Sequence, residues 1–506
     1  MSFEESTSER KLETSVVSKQ HHEVRYVPVF SDAGGTRRYV SGGCHPMHIG
    51  DVLNNGRYEI VNKIAPGWLS IVWAARDNQN ANKIVAIKVL RADRSQGEVN
   101  ELKVLQHIEA NGNTEHPGRR FLPQLLDYFY CEGPNGRHLC LVLNVLGPTL
   151  RSIRWDSEFS PRLPCSLSRH VSRQLILAVD FLHSIGIVHG DISEDNIAFQ
   201  IPRIERVRFD AARKGKLRRM DGEPLGEHVP QYLVEPLAHW RYAEVEELSD
   251  IQLIDFSASF FEAKPAWSVH RSMDIVPPEA TFMQPLNRAM DIWNLACVTY
   301  RYVTGGDLFN SYFEPTDHRS FVPQMLRVLG EDSAPWMFKA WMNVITRKAR
   351  EGLPPLEFKP AEEELPLIEN IRECYFYFKN CAQRKRLLYG RDGSIVGYID
   401  GEEMILYDAP EEHCPEVADE PEDYSGDEED EEFLAMATSY LTRMLVADPS
   451  KRATASELML EPFVQDTRFE PQALGPLRSV SYSSDDWTPS PPYRPSSRSG
   501  SDMSTD

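Results

Sequence analysis

The octet HGDISEDN, residues 189–196, places an Asp at 191 and an Asn at 196 on one short segment behind the run SIGIV. A carboxylate and a carboxamide at this spacing can divide the work of phosphoryl transfer. Asp191 would accept or orient the acceptor hydroxyl, and Asn196 would offer an oxygen to Mg²⁺. His189 would buttress the loop from inside. A second acidic residue, Asp255, ends the apolar run of ELSDIQLIDFSASFF, where a further metal ligand belongs. Magnesium prefers such hard oxygen donors and leaves its other positions to the phosphates of ATP. Lys88 in VAIKV sits inside an apolar strand pattern. A lysine there is costly to bury unless paired. Glu101, thirteen residues on in NELKVL, can pair it, and a strand Lys so held reaches the ATP phosphates.

Each signal alone has an ordinary alternative. Lys88 suits an edge strand with its ammonium in water, and HGDISEDN suits a polar turn. IAPGWLSIVW, residues 64–73, is also double-edged. A loop that covers phosphates needs small residues so that its amides can approach. In the pattern G-x-G-x-x-G the three positions fall on Ala65, Gly67 and Ser70, so only Gly67 is glycine. Pro66-Gly67 would equally make a hairpin turn. A loop with Ala and Pro is expected to be stiffer and to cover the nucleotide less closely.

The surrounding pattern predicts the elements that hold these groups. YEIVNKI, SIVWAARD and KIVAIKVL are short β-rich runs separated by turn residues, an antiparallel meander. GEVNELKVLQHIEA follows, with Val99, Leu102, Leu105 and Ile108 at helical spacing. HLCLVLNVLG is a further strand. Beyond Gly147-Pro148 the chain turns mainly helical. SRHVSRQLILAVDFLHSIG places Val171, Leu175, Ala178 and Leu182 on one face, with Gly186 as its C-cap. The expected class is α+β and bilobal: a small β-rich lobe with one main helix, about 58–145, and a larger helical lobe, about 146–464. Residues 1–38 are a polar extension expected to be disordered, and 39–57 a loop-like lead-in. About 200–250, with the basic stretch RKGKLRR, is expected to be an insert of loop or short helix. The acidic run at about 408–432 is expected to be a solvated mobile loop, and the Ser/Pro-rich tail 470–506 disordered.

The 506 residues are too many for one core and suit two lobes with flexible ends. A net charge of −21 and a pI near 5.2 disfavour direct nucleic-acid binding and favour basic partners. The eight Cys include no C-x-x-C pair and read as reduced thiols. MSFEESTSER is no secretory signal, and no stretch approaches the ~18 apolar residues of a spanning helix. The expectation is a monomer without membrane contact, in cytoplasm or nucleus.

Taken together, these elements resemble the protein-kinase superfamily. VAIK carries Lys88, HGDISEDN carries Asp191 and Asn196, and DFS, residues 255–257, stands where the family has D-F-G. VPPEA resembles the A-P-E element with Glu279. DIWNLA resembles D-x-W-x-x-G and contributes Asp291, which braces the catalytic loop in the family. LVADPSKRATASELMLEPFV resembles the closing segment, with Arg452 as the partner of Glu279. The resemblance runs from about Tyr58 to Val464. It implies that Leu143, Asn144, Val145 and Leu146 form the hinge that meets adenine, with Ile64, Val72 and Ala86 around the base. A narrower likeness, in YVSGGCHPMHIGDVLNNGRYEIVNKI, CLVLNVLGPTL and DHRSFVPQMLRVLG, is to the SR-protein kinases, especially fungal ones. Those enzymes carry an insert between catalytic loop and metal Asp. They phosphorylate Ser in Arg/Ser-rich splicing factors, which implies a serine/threonine kinase using ATP and Mg²⁺ on basic protein substrates.

Four departures bear on activity. The glycine loop keeps only Gly67. Gly190 stands where many kinases have the Arg that reads a phosphorylated activation loop; the related SR-protein kinases also lack this Arg, which implies that the change is benign. Ser257 replaces a Gly and fits if its φ is negative. Ser193 replaces the Lys that offsets charge on the transferred group, a loss of about 3–4 kcal/mol, or 10²–10³ in rate. Glu194 beside it is expected to add unhelpful negative charge. Two other readings therefore stand beside an active kinase: a pseudokinase scaffold, and a small-molecule phosphotransferase of the aminoglycoside or choline type. The loop of that last class reads H-G-D-x-x-x-x-N, but it lacks the A-P-E, D-x-W-x-x-G and terminal Arg elements.

Overall fold

The computed structural model describes residues 26–27, 35–112, 115–156, 162–201, 204, 209, 212–237, 250–267, 275–309, 322–330, 335–350, 367–384, 386–389, 395–400, 403–406 and 428–465. The predicted disordered tail 470–506, and residues 1–25 of the predicted extension, lie outside them.

The upper lobe is one antiparallel sheet. Its strands are β1 (Val52–Leu53), β2 (Tyr58–Ala65), β3 (Ser70–Asp77), β4 (Lys83–Leu90), β5 (Leu125–Gly133) and β6 (Gly136–Leu143), in the order β1-β2-β3-β4-β6-β5. The β2, β3 and β4 strands fall where the β-rich runs between turn residues predict them. β5, LLDYFYCEG, has no sequence signal of period two, because its apolar residues stand in consecutive runs, Leu125-Leu126 and Tyr128 to Cys131. Helix α1 (Asn100–Asn111) packs Val104, Leu105 and Ile108 inward and carries Glu101 on the same buried side.

The lower lobe is built on α2 (Leu150–Asp156), α3 (Cys165–Ser184), the strands β7 (Ile187–Val188) and β8 (Ile197–Phe199), and a set of later helices. Gly186 ends α3 at φ +73, the left-handed turn expected of it, and its N–H donates to His183 O. The lobes share a continuous apolar core from Leu105 and Leu141 to Phe181 and Trp293.

The insert differs from its expectation. It contains a hairpin, β9 (Lys214–Lys216) and β10 (Tyr232–Val234), paired antiparallel. Leu217, Val229, Leu233 and Val234 are buried on the outer face of the upper sheet beside Tyr58, Ile60 and Trp73. Ile49 N–H donates to Tyr232 Oη, and Asn135 Nδ2 to His228 O. The basic run RKGKLRR obscures this role because its charges alternate with Leu217, the single side chain that packs inward. The lead-in joins the same cluster through Tyr39, Cys44 and Met47, and Thr36–Arg38 form a short 3₁₀ turn rather than disordered chain.

Strand β11 (Ile251–Leu253) pairs with β8, and β12 (Phe260–Phe261) pairs with β7. Next come α4 (Pro278–Thr281) and α5 (Ala289–Thr304), every residue of which is buried. Helices α6 (Val322–Leu329), α7 (Pro335–Arg350) and α8 (Leu367–Arg384) follow. After them a meander of β13 (Arg386–Tyr389), β14 (Ile395–Asp400) and β15 (Glu403–Leu406) precedes α9 (Glu428–Met444) and α10 (Ala455–Leu458). The acidic run thus ends as helix. Glu428–Glu431 occupy the first turn of α9, where the helix dipole favours anions. Asp430 accepts from Tyr375 Oη at 2.6 Å, and Glu431 pairs with Arg372. The rest of the predicted acidic loop, 408–427, lies outside the described residues.

Candidate active site

Antiparallel pairing of β3 and β4 aligns Val72 with Lys88 and Ala74 with Ala86. Lys88 therefore sits one pleat repeat deeper into the cleft than Ala86, on the same face. Its Nζ lies 2.6 Å from Glu101 Oε1 and 2.8 Å from Asp255 Oδ1. Burial works against the ammonium, but the two carboxylates outweigh it and hold Lys88 charged. Burial pushes the Glu101 carboxyl up, opposed by Lys88. At Asp255 burial is outweighed by Lys88, and its carboxyl is held well below the usual range.

The β8·β11 ladder pairs Ile197 with Leu253, so Asn196 and Asp255 flank the same end of two adjacent strands. Ile254 N–H donates to Asn196 O at 2.8 Å. Asn196 Nδ2 donates to Asp191 at both its backbone O (2.8 Å) and Oδ2 (2.9 Å). His189 accepts from Asp191 N–H at Nδ1, which puts its proton on Nε2, donated to Ile254 O at 3.1 Å. Burial lowers the His189 pKa, consistent with a neutral ring. These bonds tie Asp191, Asn196 and the approach to Asp255 into one unit. Asp255 Oδ1 is engaged by Lys88 and Ser257 N–H, and Asn196 Nδ2 by Asp191. Oδ2 of the former and Oδ1 of the latter remain as hard donors, so the pair fits a magnesium ion that takes its other ligands from phosphates and water. Among the described residues no group of three or more His, Cys, Asp or Glu side chains could hold a metal.

The left-handed turn in the DFS segment falls on Asp255 itself, at φ 66 and ψ 86. Asp tolerates this region better than most residues. Ser257, in the 3₁₀ turn Phe256–Ala258, is not among the positive-φ residues, which meets the condition for a Ser at this place. Phe256 is buried and meets the edge of His189. Gly190 stands at φ +79, where a side chain would be strained.

Asp291 lies beneath the loop, fully buried. It accepts from the N–H groups of His189 and Gly190, each at 2.8 Å, and contacts His183 Nε2 at 3.0 Å. Burial opposes its charge, but His183 and the loop amides outweigh this and lower its pKa. His183 was not singled out in the sequence; its place in the last turn of α3 resembles an ordinary core position. Glu279 and Arg452 form a buried bidentate pair at 2.9 and 3.0 Å.

Ile64, Val72, Ala86, Leu143 and Val145, from four separated stretches of chain, share one apolar cluster. Asn144 and Leu146 are half-buried in the connection below it. Ala65 ends β2, and Gly67 lies in the β2–β3 turn, where its carbonyl accepts from Arg38 Nη1 at 2.8 Å. This tether to the lead-in had no sequence signal beyond a charged residue.

The expectation for Glu194 is overturned. Its side chain is fully buried, paired with Arg154 and lying 3.5 Å from Arg301 Nη1. The two guanidiniums neutralise the charge inside the lower lobe. Spacing alone could not show this, because Arg301 comes from the far end of α5.

No family model matches the chain. Among curated proteins, it is 37% identical over 162 residues to protein kinase dsk1 of Schizosaccharomyces pombe, covering 31% of this chain and 29% of that one. Over 163 residues it is 37% identical to human SRSF protein kinase 3, covering 31% and 28%. A longer match, 24% identical over 326 residues, covers 58% of this chain and 72% of serine/threonine-protein kinase SRPK of Physarum polycephalum. The chain thus spans less than a third of the length of the dsk1 and SRSF protein kinase 3 relatives. Its architecture is α+β and bilobal, and over the matched stretches the chain is similar to SR-protein kinases.

Proposed function

We propose that this protein is a serine/threonine protein kinase that transfers the γ-phosphoryl of ATP to Ser or Thr in basic, Arg/Ser-rich proteins. The observation that carries the reading is the contact of Lys88 with both Glu101 and Asp255 across the two lobes. Lys88, positioned by Glu101, orients the ATP phosphates. Asp255 and Asn196 would hold Mg²⁺, which would supply charge neutralisation at the phosphates. Asp191, fixed by Asn196 and His189, orients the acceptor hydroxyl and takes its proton. His189, Asp291, Glu279 and Arg452 hold the loop and the segment after it. Catalysis on this plan comes from positioning and charge neutralisation. The acidic balance of the chain, −21, suits a cationic substrate. The site of action would be cytoplasm or nucleus; among the described residues no helix is long and apolar enough to cross a membrane.

Ser193 favours a second reading, a pseudokinase that binds nucleotide and partners but transfers slowly. One assay separates the two. Purified protein is given labelled Mg-ATP with an Arg/Ser-repeat peptide, a generic basic protein, an aminoglycoside and choline. Peptide labelling that is lost in Asp191→Asn and Lys88→Met supports the kinase. Nucleotide-dependent thermal stabilisation without labelling supports the pseudokinase, and labelling of the small acceptors alone would overturn both.

A further inference from the structure

The nucleotide face of the upper sheet runs in steps of two residues along β4, from Lys88 through Ala86 to Ile84. If the phosphates sit at Lys88, the base lies under Ala86, and the Ile84 end is the outer limit of the pocket. That end is covered by the insert. Phe209 and Leu237, 5% and 9% exposed, share one apolar cluster with Val72, Ala86, Leu143 and Val145. Ile201 lies against the hinge so closely that a Cβ on Gly147 would come within 3.0 Å of its Cγ1.

The backbone anchors this arrangement. β1 pairs with β2 at Glu59 and Tyr58, and Gly50 and Asp51 bond the backbone of Ile60, so β2 presents an open edge only beyond Ile60. Leu237 N–H donates to Lys63 O at 2.7 Å, and Asn62 Nδ2 donates to Phe209 O at 3.0 Å. Both passes of the insert are therefore attached to the strand that carries Ile64, and the open edge gains partners. Two apolar side chains are held at a fixed height beside the pocket.

We propose that Phe209 and Leu237 form the outer wall of the adenine site, so that the insert sets the protein's affinity for the nucleotide base. The proposal rests on the kinase reading and deepens it. An adenine ring seated between Ala86 and this wall buries its outer edge against apolar carbon instead of water, and truncating the wall re-exposes it.

The test is calorimetric binding of a non-hydrolysable ATP analogue with Mg²⁺ to the full chain and to Phe209→Ala, Leu237→Ala and Phe209→Leu. Inorganic triphosphate, which has the charge but no base, is the parallel probe. Each alanine variant is expected to weaken the analogue about five- to thirtyfold, with triphosphate affinity unchanged and Phe209→Leu largely restored. Equal or tighter analogue binding by both alanine variants overturns the wall; tighter binding would mean that Phe209 occupies the base site. Equal weakening of both probes also overturns it, since that reports a general structural role. If the unaltered chain binds neither probe, the kinase reading falls as well.

Discussion

Glu194 and Arg154 form an ion pair sealed within the lower lobe, three residues in sequence from the catalytic-loop Asp191. A buried carboxylate left without its partner is strongly destabilising, whereas replacing both partners by apolar groups is often close to neutral. Arg154→Met is therefore expected to cost about 3–5 kcal/mol, partly offset by Arg301. Arg154→Met combined with Glu194→Leu is expected to recover most of that loss. Urea denaturation of the single and double variants checks it; a double variant as unstable as the single one would contradict the pairing.

Ser193 has an extended backbone and a half-buried side chain on the same loop. If the missing cation limits transfer, Ser193→Lys raises kcat by roughly tenfold or more, with up to about 10²–10³ available from one electrostatic donor. The KM for ATP is expected to stay within about twofold, since the donor acts on charge that develops during transfer. Steady-state kinetics decide it, and an unchanged kcat would show that the loop transfers without such a cation.

Lys88 divides its ammonium between Glu101 and Asp255. Removing the Glu101 charge leaves Asp255 as its sole anionic partner among the described residues, in competition with a magnesium ion for that carboxylate. Glu101→Gln is expected to lower kcat/KM for ATP about 10- to 100-fold and to raise the Mg²⁺ concentration needed for half-maximal rate. Magnesium titrations of both proteins would show whether the half-saturation point moves; if it does not, Glu101 has no part in freeing Asp255.

Three histidines have pKa values lowered chiefly by burial: His45, pulled down to about 4, His138 and His189. The unfolded chain then binds more protons than the folded one once the pH drops below 6.5, the ordinary value. Their contribution to stability is complete above 6.5 and declines as the pH falls toward the lowered folded values. His45 and His138 meet ring to ring at 5.0 Å, so protonating one also disfavours charge on the other. The urea midpoint is expected to fall between pH 7 and pH 5, with a shallower decline in His45→Gln. Parallel declines for the two proteins would remove His45 from the account.

Much of the fold could be read from local pattern. The β-rich runs SIVWAARD and KIVAIKVL, bounded by turn residues, place two strands at their observed bounds, and the helical spacing around Leu105 places α1. The insert could not be read this way. Leu217 and Val229 are isolated apolar residues and Tyr232 to Val234 a run of only three, and their burial depends on a sheet surface formed by residues 58–73. The opening of α9 was masked in the same manner, since DEEDEE reads as solvated until Tyr375 and Arg372 arrive from α8.

The chain's own order of residues settles which groups are available: a strand lysine, a helix glutamate, and a loop that offers Asp191 and Asn196. Their types and local spacing follow from short-range pattern, which sequence carries directly. Three-dimensional packing alone decides where charge is neutralised and what closes the pocket. Arg154 and Arg301 cancel Glu194 from 40 and 107 residues away, and Leu237 reaches β2 from more than 170 residues along the chain. Such contacts cost chain entropy that only the assembled lobes repay, so no local window contains them.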